Sequence, residues 1–290
     1  MKRSIALGVF DGLHLAHQAV LRAAAAYQAQ GFRPAVPLFT PHPMALTTGT
    51  PPARLLLDGE RDEMLGAMGL DLLPMPFGEI MGLSPEDFVD QVLLEKYQAG
   101  ALSCGYHYRF GSAAAGDAVR LRKLCDARGI MLSVVPQMDY QDEPISSTRI
   151  RAALEQGRIG DANAMLGRPF GYRLRVERGE RMGRVLGAPT INQHFPPDFA
   201  VPRFGVYASR AYVEGAWRAS VTNIGRKPTF GLNELRSETH ILAYDGDLYG
   251  QEIDVRLHSF LRPERVFRSM EELIKQIGVD KASSGKNHEK

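Results

Sequence analysis

Near Arg168 the hydrophobic pattern of this chain changes period, and that change limits what it can fold into. Before it, strand-like and helix-like stretches alternate. Residues 4–7, 35–39, 99–104 and 130–135 read as short buried strands, although Pro37 fits an inner strand badly. Residues 14–30, rich in alanine and ended by Gly31, read as a helix, as do 58–68 and 117–128. Ser84 reads as an N-cap, with Pro85 at the first helical position and Glu86 and Asp87 in the first turn. Such alternation predicts an α/β domain, a Rossmann-like parallel sheet with crossover helices.

After Arg168 apolar and polar residues alternate in period two. Residues 204–213 and 217–223 are separated by a Glu214–Gly215 turn signal. Residues 237–244 and 251–260 flank Asp245-Gly246-Asp247, which reads as a hairpin-like connection. This half predicts an all-β antiparallel sheet or small barrel. Ser269, with Glu272 three residues on, has the spacing of a capping box and opens a last helix. The polar tail 281–290 is expected to be disordered. The expected domains are therefore 1–167 and 168–290, which suits 290 residues at roughly 150 per domain.

Composition narrows the function classes. Thirty-five basic against thirty-three acidic side chains give +2, so no nucleic-acid partner is expected. Cys104 and Cys125 are too few for a disulfide framework, lack metal-ligand spacing and read as buried thiols. No apolar run approaches the ~20 residues of a membrane span, and the N-terminus does not read as a signal peptide. A cytoplasmic setting without membrane partners is the expectation.

The segment LGVFDGLHLAHQAVL joins the first strand to the first helix, at the sheet edge where open α/β sheets bind ligands. Gly8 and Gly12 permit a tight turn. His14 and His17 are three apart and share a helix face, where the helix N-terminus attracts phosphate. Two surface histidines at a first turn would look the same. Phe39-Thr40-Pro41-His42-Pro43 brings His42 to the same edge. Ile145-Ser146-Ser147-Thr148-Arg149-Ile150-Arg151 offers three hydroxyls and two guanidiniums, which suit phosphate oxygens or an ordinary helix cap.

Together these segments resemble the nucleotidyltransferases with HxGH and ISSTxxR motifs. More closely, they are similar to the adenylyltransferase module of bacterial bifunctional riboflavin kinase/FAD synthetases, from Ile5 to about Gly167. The resemblance implies that an FMN phosphate oxygen attacks the α-phosphorus of ATP and pyrophosphate leaves. It implies catalytic contacts from His14 and His17, and ATP or phosphate contacts from Gly8, Phe10, Asp11, Gly12, His42, Ser147, Thr148 and Arg151. It implies flavin contacts from His107 and Asp117. The sequence departs from the family at three places. Ala16 stands for the HxGH glycine, His107 for an Asp or Asn, and Ser112-Ala113-Ala114-Ala115 for a loop with a basic residue. These departures leave room for a kinase whose adenylyl-transfer half is impaired or retasked.

In the second half, the segment 179–192 repeats glycine and carries Gly179, Gly183, Arg184, Gly187 and a rigid Pro189. It lacks the lysine of a Walker loop. Thr190 and Asn192 lie on one side of an extended strand and offer hard oxygen donors of the kind Mg²⁺ takes. A glycine-rich hairpin with two polar residues fits the same string. In Ser237-Glu238-Thr239-His240-Ile241, Glu238 shares a face with His240 and is either a general base or a surface acid.

These pieces resemble riboflavin kinase, most specifically at GRVLGAPTIN. That resemblance implies a six-stranded antiparallel barrel with a terminal helix. It implies that Thr190 and Asn192 hold Mg²⁺ and ATP, that Gly179, Gly183, Arg184, Gly187 and Pro189 contact ATP, and that Asn223 contacts flavin. Glu238 would take the proton from the ribityl 5′-hydroxyl. Leu174 and Arg178 stand where the family commonly has Gly and His. The expected function is two-step: riboflavin to FMN in the second half, then FMN to FAD in the first, with ATP as co-substrate twice. A non-catalytic flavin-binding regulatory protein is the alternative of another class.

Overall fold

The structure, a computed structural model, describes residues 1–177, 190–229 and 232–264. The chain divides into two compact units, Met1–Ser146 and Ser147–Lys290. That division falls earlier than the change of pattern near Arg168.

The first unit is a five-stranded parallel sheet. Its strands are β1 (Arg3–Leu7), β2 (Arg33–Thr40), β3 (Asp71–Pro76), β4 (Ala99–Gly105) and β5 (Met131–Val135), in the order β3-β2-β1-β4-β5. Helices α1 (Leu15–Ala26), α2 (Asp58–Ala67) and α3 (Ala118–Arg128) belong to the crossovers. The two faces of β1 explain the layering. Ile5 and Leu7 pack with Val89, Leu93 and Leu121 on one side of the sheet. Ala6 packs with Leu21, Val36 and Leu65 on the other. Strand β2 is an inner strand despite Pro37, which lies beyond the Arg33–Ala35 pairing with β1 and opposite Leu73 of β3. Strand β3 escaped the sequence reading because it carries Pro74 and Pro76; it is an edge strand, where a missing N–H costs little. Ser84 caps a helix as expected, accepting the Asp87 N–H at 3.0 Å, and the helix continues as a π-helical stretch over Phe88–Lys96.

The second unit opens with α4 (Ser147–Glu155) and α5 (Ile159–Leu166). Its six antiparallel strands are β6 (Phe170–Arg175), β7 (Thr190–His194), β8 (Gly205–Val213), β9 (Ala216–Thr229), β10 (Leu232–Ile241) and β11 (Glu252–Arg262). Their order is β6-β11-β8-β9-β10-β7. A bridge between Glu177, just past β6, and Asn192 in β7 links the two ends of the sheet. Asn163 of α5 fastens the helix to the sheet, donating to the Leu257 carbonyl at 2.9 Å and accepting from the Phe170 N–H at 2.7 Å.

The Asp245-Gly246-Asp247 turn is not a hairpin. It follows β10 and precedes β11, which are not neighbours in the sheet, so the connection crosses over. Its Asp-Gly chemistry bends the chain locally without deciding which strand pairs next. The interior is partly polar. Ser209, Thr222 and Thr239 form a buried chain of hydroxyls at 2.7 and 2.8 Å. Gln193 donates to the Leu174 and Ile253 carbonyls at 2.6 and 2.8 Å. Such bonds contribute about 1 kcal/mol each and avoid the larger penalty of unpaired buried groups. The helix expected at Ser269, the 281–290 tail and residues 179–189 of the glycine-rich segment lie outside the described residues.

Candidate active sites

The first site lies at the carboxyl edge of the parallel sheet. Strand β1 ends at Leu7, and the chain turns through Gly8–His14 before α1 begins at Leu15. Phe10, Gly12 and Leu13 hold positive φ angles of 57°, 80° and 45°. Gly12 is required twice over, because a Cβ there would also lie 2.9 Å from Leu55. Phe10 is 1% exposed and lays its ring beside Gly8. Asp11 accepts the Leu55 N–H at 3.0 Å, so its carboxylate ties this turn to the loop before α2.

His14 caps α1. Its Nδ1 accepts the His17 N–H at 3.2 Å, which places the proton of a neutral His14 on Nε2 as a donor. The His14 and His17 rings stack with centroids 3.5 Å apart, and Phe10 meets His17 edge-on at 5.3 Å. His17 Nδ1 is buried with no hydrogen-bond partner among the described residues. Burial, with His14 and His107 nearby, holds the His17 imidazole well below its ordinary pKa. The three-residue spacing of the two histidines along one helix face therefore produces a stacked pair of rings, with His17 held neutral by its burial.

A cavity of about 790 Å³ opens beside this pair. Gly8, Phe10, His14, Ala16, His17 and His107 line it, and Phe39, Phe77, Phe88, Tyr108 and Phe110 form an aromatic wall. That volume and character suit a planar, drug-sized ligand. Ala113 and Ala114 of the alanine run also line it, both with positive φ. Asp11, Gly12, His42 and Asp117 are not among the lining residues. His42 caps the short helix Pro43–Thr47, accepting the Met44 N–H at 3.2 Å. Ser147, Thr148 and Arg151 stand in α4, in the second unit. Cys104 and Cys125 are buried free thiols, pushed up to about 12 and about 11 by burial, so neither is a nucleophile at neutral pH.

Asp117 caps α3, accepting the Arg120 N–H at 2.8 Å and lying 3.5 Å from Arg109. The backbone N–H of Arg120, with help from Arg109, holds this carboxyl below the usual range. A depressed carboxyl pKa gives stability that is present above the unfolded value and is lost as pH falls through the folded one. Asp117→Ala should therefore lower the thermal midpoint at pH 7, with a shrinking effect toward pH 3, while Asp117→Asn retains most of the cap. Thermal melts across pH test this; an equal loss for Ala and Asn would remove the capping account.

The second site is set by strand register. Asn192 of β7 pairs with Glu238 of β10, and Glu238 pairs with Asn223 of β9. Paired residues share a face, so the three side chains form one row across three strands. Thr190 and His240 form the neighbouring row. Thr222 and Thr239, on the opposite face, are fully buried in the hydroxyl chain. Asn192 is buried, and Glu238 and Asn223 are half-buried. Gly179, Gly183, Arg184, Gly187 and Pro189 lie outside the described residues, so only the sheet side of this site is described.

Two residues of this face escaped the sequence reading. Arg236, 6% exposed, sits two positions before Glu238 and pairs with Gly225; period two alone would have placed it beside the acid. Glu264 accepts a hydrogen bond from Asn223 Nδ2 at 3.2 Å. No sequence pattern pointed to it, because it lies 41 residues from Asn223 in the chain.

Family comparison favours a two-module enzyme over a flavin-binding regulatory protein. A riboflavin kinase model matches residues 166–287, and an FAD synthetase model matches residues 1–149. The chain belongs to the bifunctional riboflavin kinase/FMN adenylyltransferases. The relative of that name from Listeria monocytogenes is 32% identical, over 97% of this chain and 90% of its own. Those from Bacillus subtilis and Escherichia coli K12 are also 32% identical, over 97% of this chain and 90% and 91% of theirs. The two family matches leave residues 150–165 between them, the greater part of α4 and of α5. A crystal structure named as a macrolide-efflux protein from Streptococcus pneumoniae superposes with a TM-score of 0.87 at 27% identity, covering 98% of this chain and 93% of that one. Among the described residues, no helix here is long and apolar enough to cross a membrane. An enzyme of two modules is what family and fold together support.

Proposed function

We propose that the second unit phosphorylates riboflavin to FMN with ATP, and that the first unit adenylylates FMN to FAD with a second ATP, releasing pyrophosphate. The observation that carries this reading is the Asn192–Glu238–Asn223 row. It sets one carboxylate between two amides on a partly sheltered face. A binding protein has no need of a base in that position, whereas phosphoryl transfer to an alcohol needs an acceptor for the hydroxyl proton.

Glu238 takes the 5′-hydroxyl proton of the ribityl chain as the oxygen attacks the γ-phosphorus of ATP and ADP leaves. Asn223 orients the polyol. The donor set fits a magnesium ion: Thr190 and Asn192 bring two neutral oxygens to one strand face, and Mg²⁺ completes its shell with phosphate oxygens and water. When bound, the ion supplies positive charge against the triphosphate. In the first unit the aromatic wall receives the isoalloxazine, and His14 and His17 donate to phosphate oxygens at the start of α1. By the ISSTxxR resemblance Ser147, Thr148 and Arg151 take phosphate oxygens of ATP, and His107, on the cavity lining, takes the flavin side. Positioning and charge stabilisation carry both transfers.

The test is a product time course with riboflavin, ATP and Mg²⁺, separated by chromatography. FMN is expected to rise and then give way to FAD, with pyrophosphate formed in step with FAD. No consumption of riboflavin would overturn the reading. A second reading is favoured by Ala16, Ala113 and Ala114, all on the cavity wall in place of the family's glycine and basic residue. In that case FMN accumulates without FAD in the same assay.

A further inference from the structure

The described face around Glu238 holds a second acid. Glu264, two residues after β11, reaches back over β9. Its Oε1 accepts from Asn223 Nδ2 at 3.2 Å. Its carboxylate also occupies the space above Gly225, where an added Cβ would lie 2.0 Å from the same oxygen. Asn223 and Gly225 are two apart on one strand and therefore share a face. The glycine leaves a seat, and the acid fills it.

This arrangement fixes the chemistry of Asn223. A carboxylate can only accept, so the amide must turn its NH₂ toward Glu264. Its carbonyl oxygen is then the group left to face other donors. Asn223 pairs directly with Glu238, so that oxygen and the base belong to one row. We infer that Glu264, seated over Gly225, is a positioning residue that orients Asn223 to accept a hydrogen bond from a ribityl hydroxyl beside Glu238. The inference rests on the kinase reading above. A flavin polyol carries several hydroxyl donors and no charge, which suits a carbonyl acceptor better than an exposed acid. Glu264 acts through Asn223 and touches no reacting atom.

Three single variants and one double variant test it, with riboflavin KM, kcat, ATP KM and direct riboflavin binding by fluorescence quenching measured for each. Glu264→Ala should raise riboflavin KM and the flavin dissociation constant about tenfold, the effect of losing one oriented hydrogen bond, with ATP KM and the melting temperature nearly unchanged. Glu264→Gln keeps an acceptor oxygen and should restore most of the affinity. Gly225→Ala should mimic Glu264→Ala by evicting the carboxylate. In the double variant the added methyl has room, so Gly225→Ala should then add little.

Unchanged riboflavin affinity in Glu264→Ala would overturn the inference. So would independent addition of the two effects, or a fall in kcat and melting temperature together without a change in affinity. Wild-type protein in the same assays separates the two levels. If it phosphorylates riboflavin and Glu264→Ala is indistinguishable from it, only the positioning role falls. If wild-type protein neither binds nor consumes riboflavin, both readings fall.

Discussion

Glu238→Gln is expected to lower riboflavin phosphorylation by roughly 10²–10⁴-fold while flavin still binds, the range general-base catalysis contributes. The substitution keeps the size and the hydrogen-bonding reach of the side chain, so the row with Asn192 and Asn223 keeps its shape. What it removes is a group able to take a proton. The effect should therefore fall on kcat, with riboflavin KM moving little, because the interaction is made as the hydroxyl loses its proton. FAD formation from added FMN should be untouched, since it depends on the first unit. Unchanged turnover in this variant would refute the assignment of the base, and loss of both reactions would show that the two chemistries are not separate.

That prediction depends on register, and register was only half legible in the sequence. Alternation alone placed Glu238 with His240, and Thr190 with Asn192, because period two operates within a strand. It did not show that β7 and β9 would flank β10 and bring Asn192 and Asn223 to either side of the acid. Strand order comes from long-range pairing, and the Asp245-Gly246-Asp247 turn shows how local chemistry misleads there. The crossover it makes looks like a hairpin to any local reading. In the first unit, by contrast, the α/β alternation carried most of the sheet, since each helix and strand is written in its own local pattern. Only β3 was lost, to prolines that an edge strand tolerates. Asp117 shows a different limit. A motif position suggested a flavin contact, whereas the structure gives that side chain a cap to hold and places it off the cavity lining. The aromatic wall was invisible because its residues come from separate segments and none of them is unusual in a core.

His17→Ala is expected to lower FAD formation by about 10²–10³-fold, the scale for removing one donor to developing charge, while FMN formation is spared. Burial, stacking on His14 and the nearby His107 keep the His17 imidazole neutral in the free protein. A folded pKa depressed in this way makes protonation costly. Stability is full above the unfolded value of about 6.5 and is lost as pH falls from there toward the folded one. An arriving triphosphate reverses the balance, because its negative charge favours the imidazolium that burial opposed. ATP binding to the first unit should therefore take up a proton near neutral pH. Calorimetry in buffers of different ionisation enthalpy measures that uptake directly, and His17→Ala should abolish it. The same variant should lose the destabilisation of the free protein below pH 6.5, since the buried neutral group is gone. A variant that kept proton uptake but lost FAD formation would take the titrating role away from His17 and leave it as a wall of the cavity.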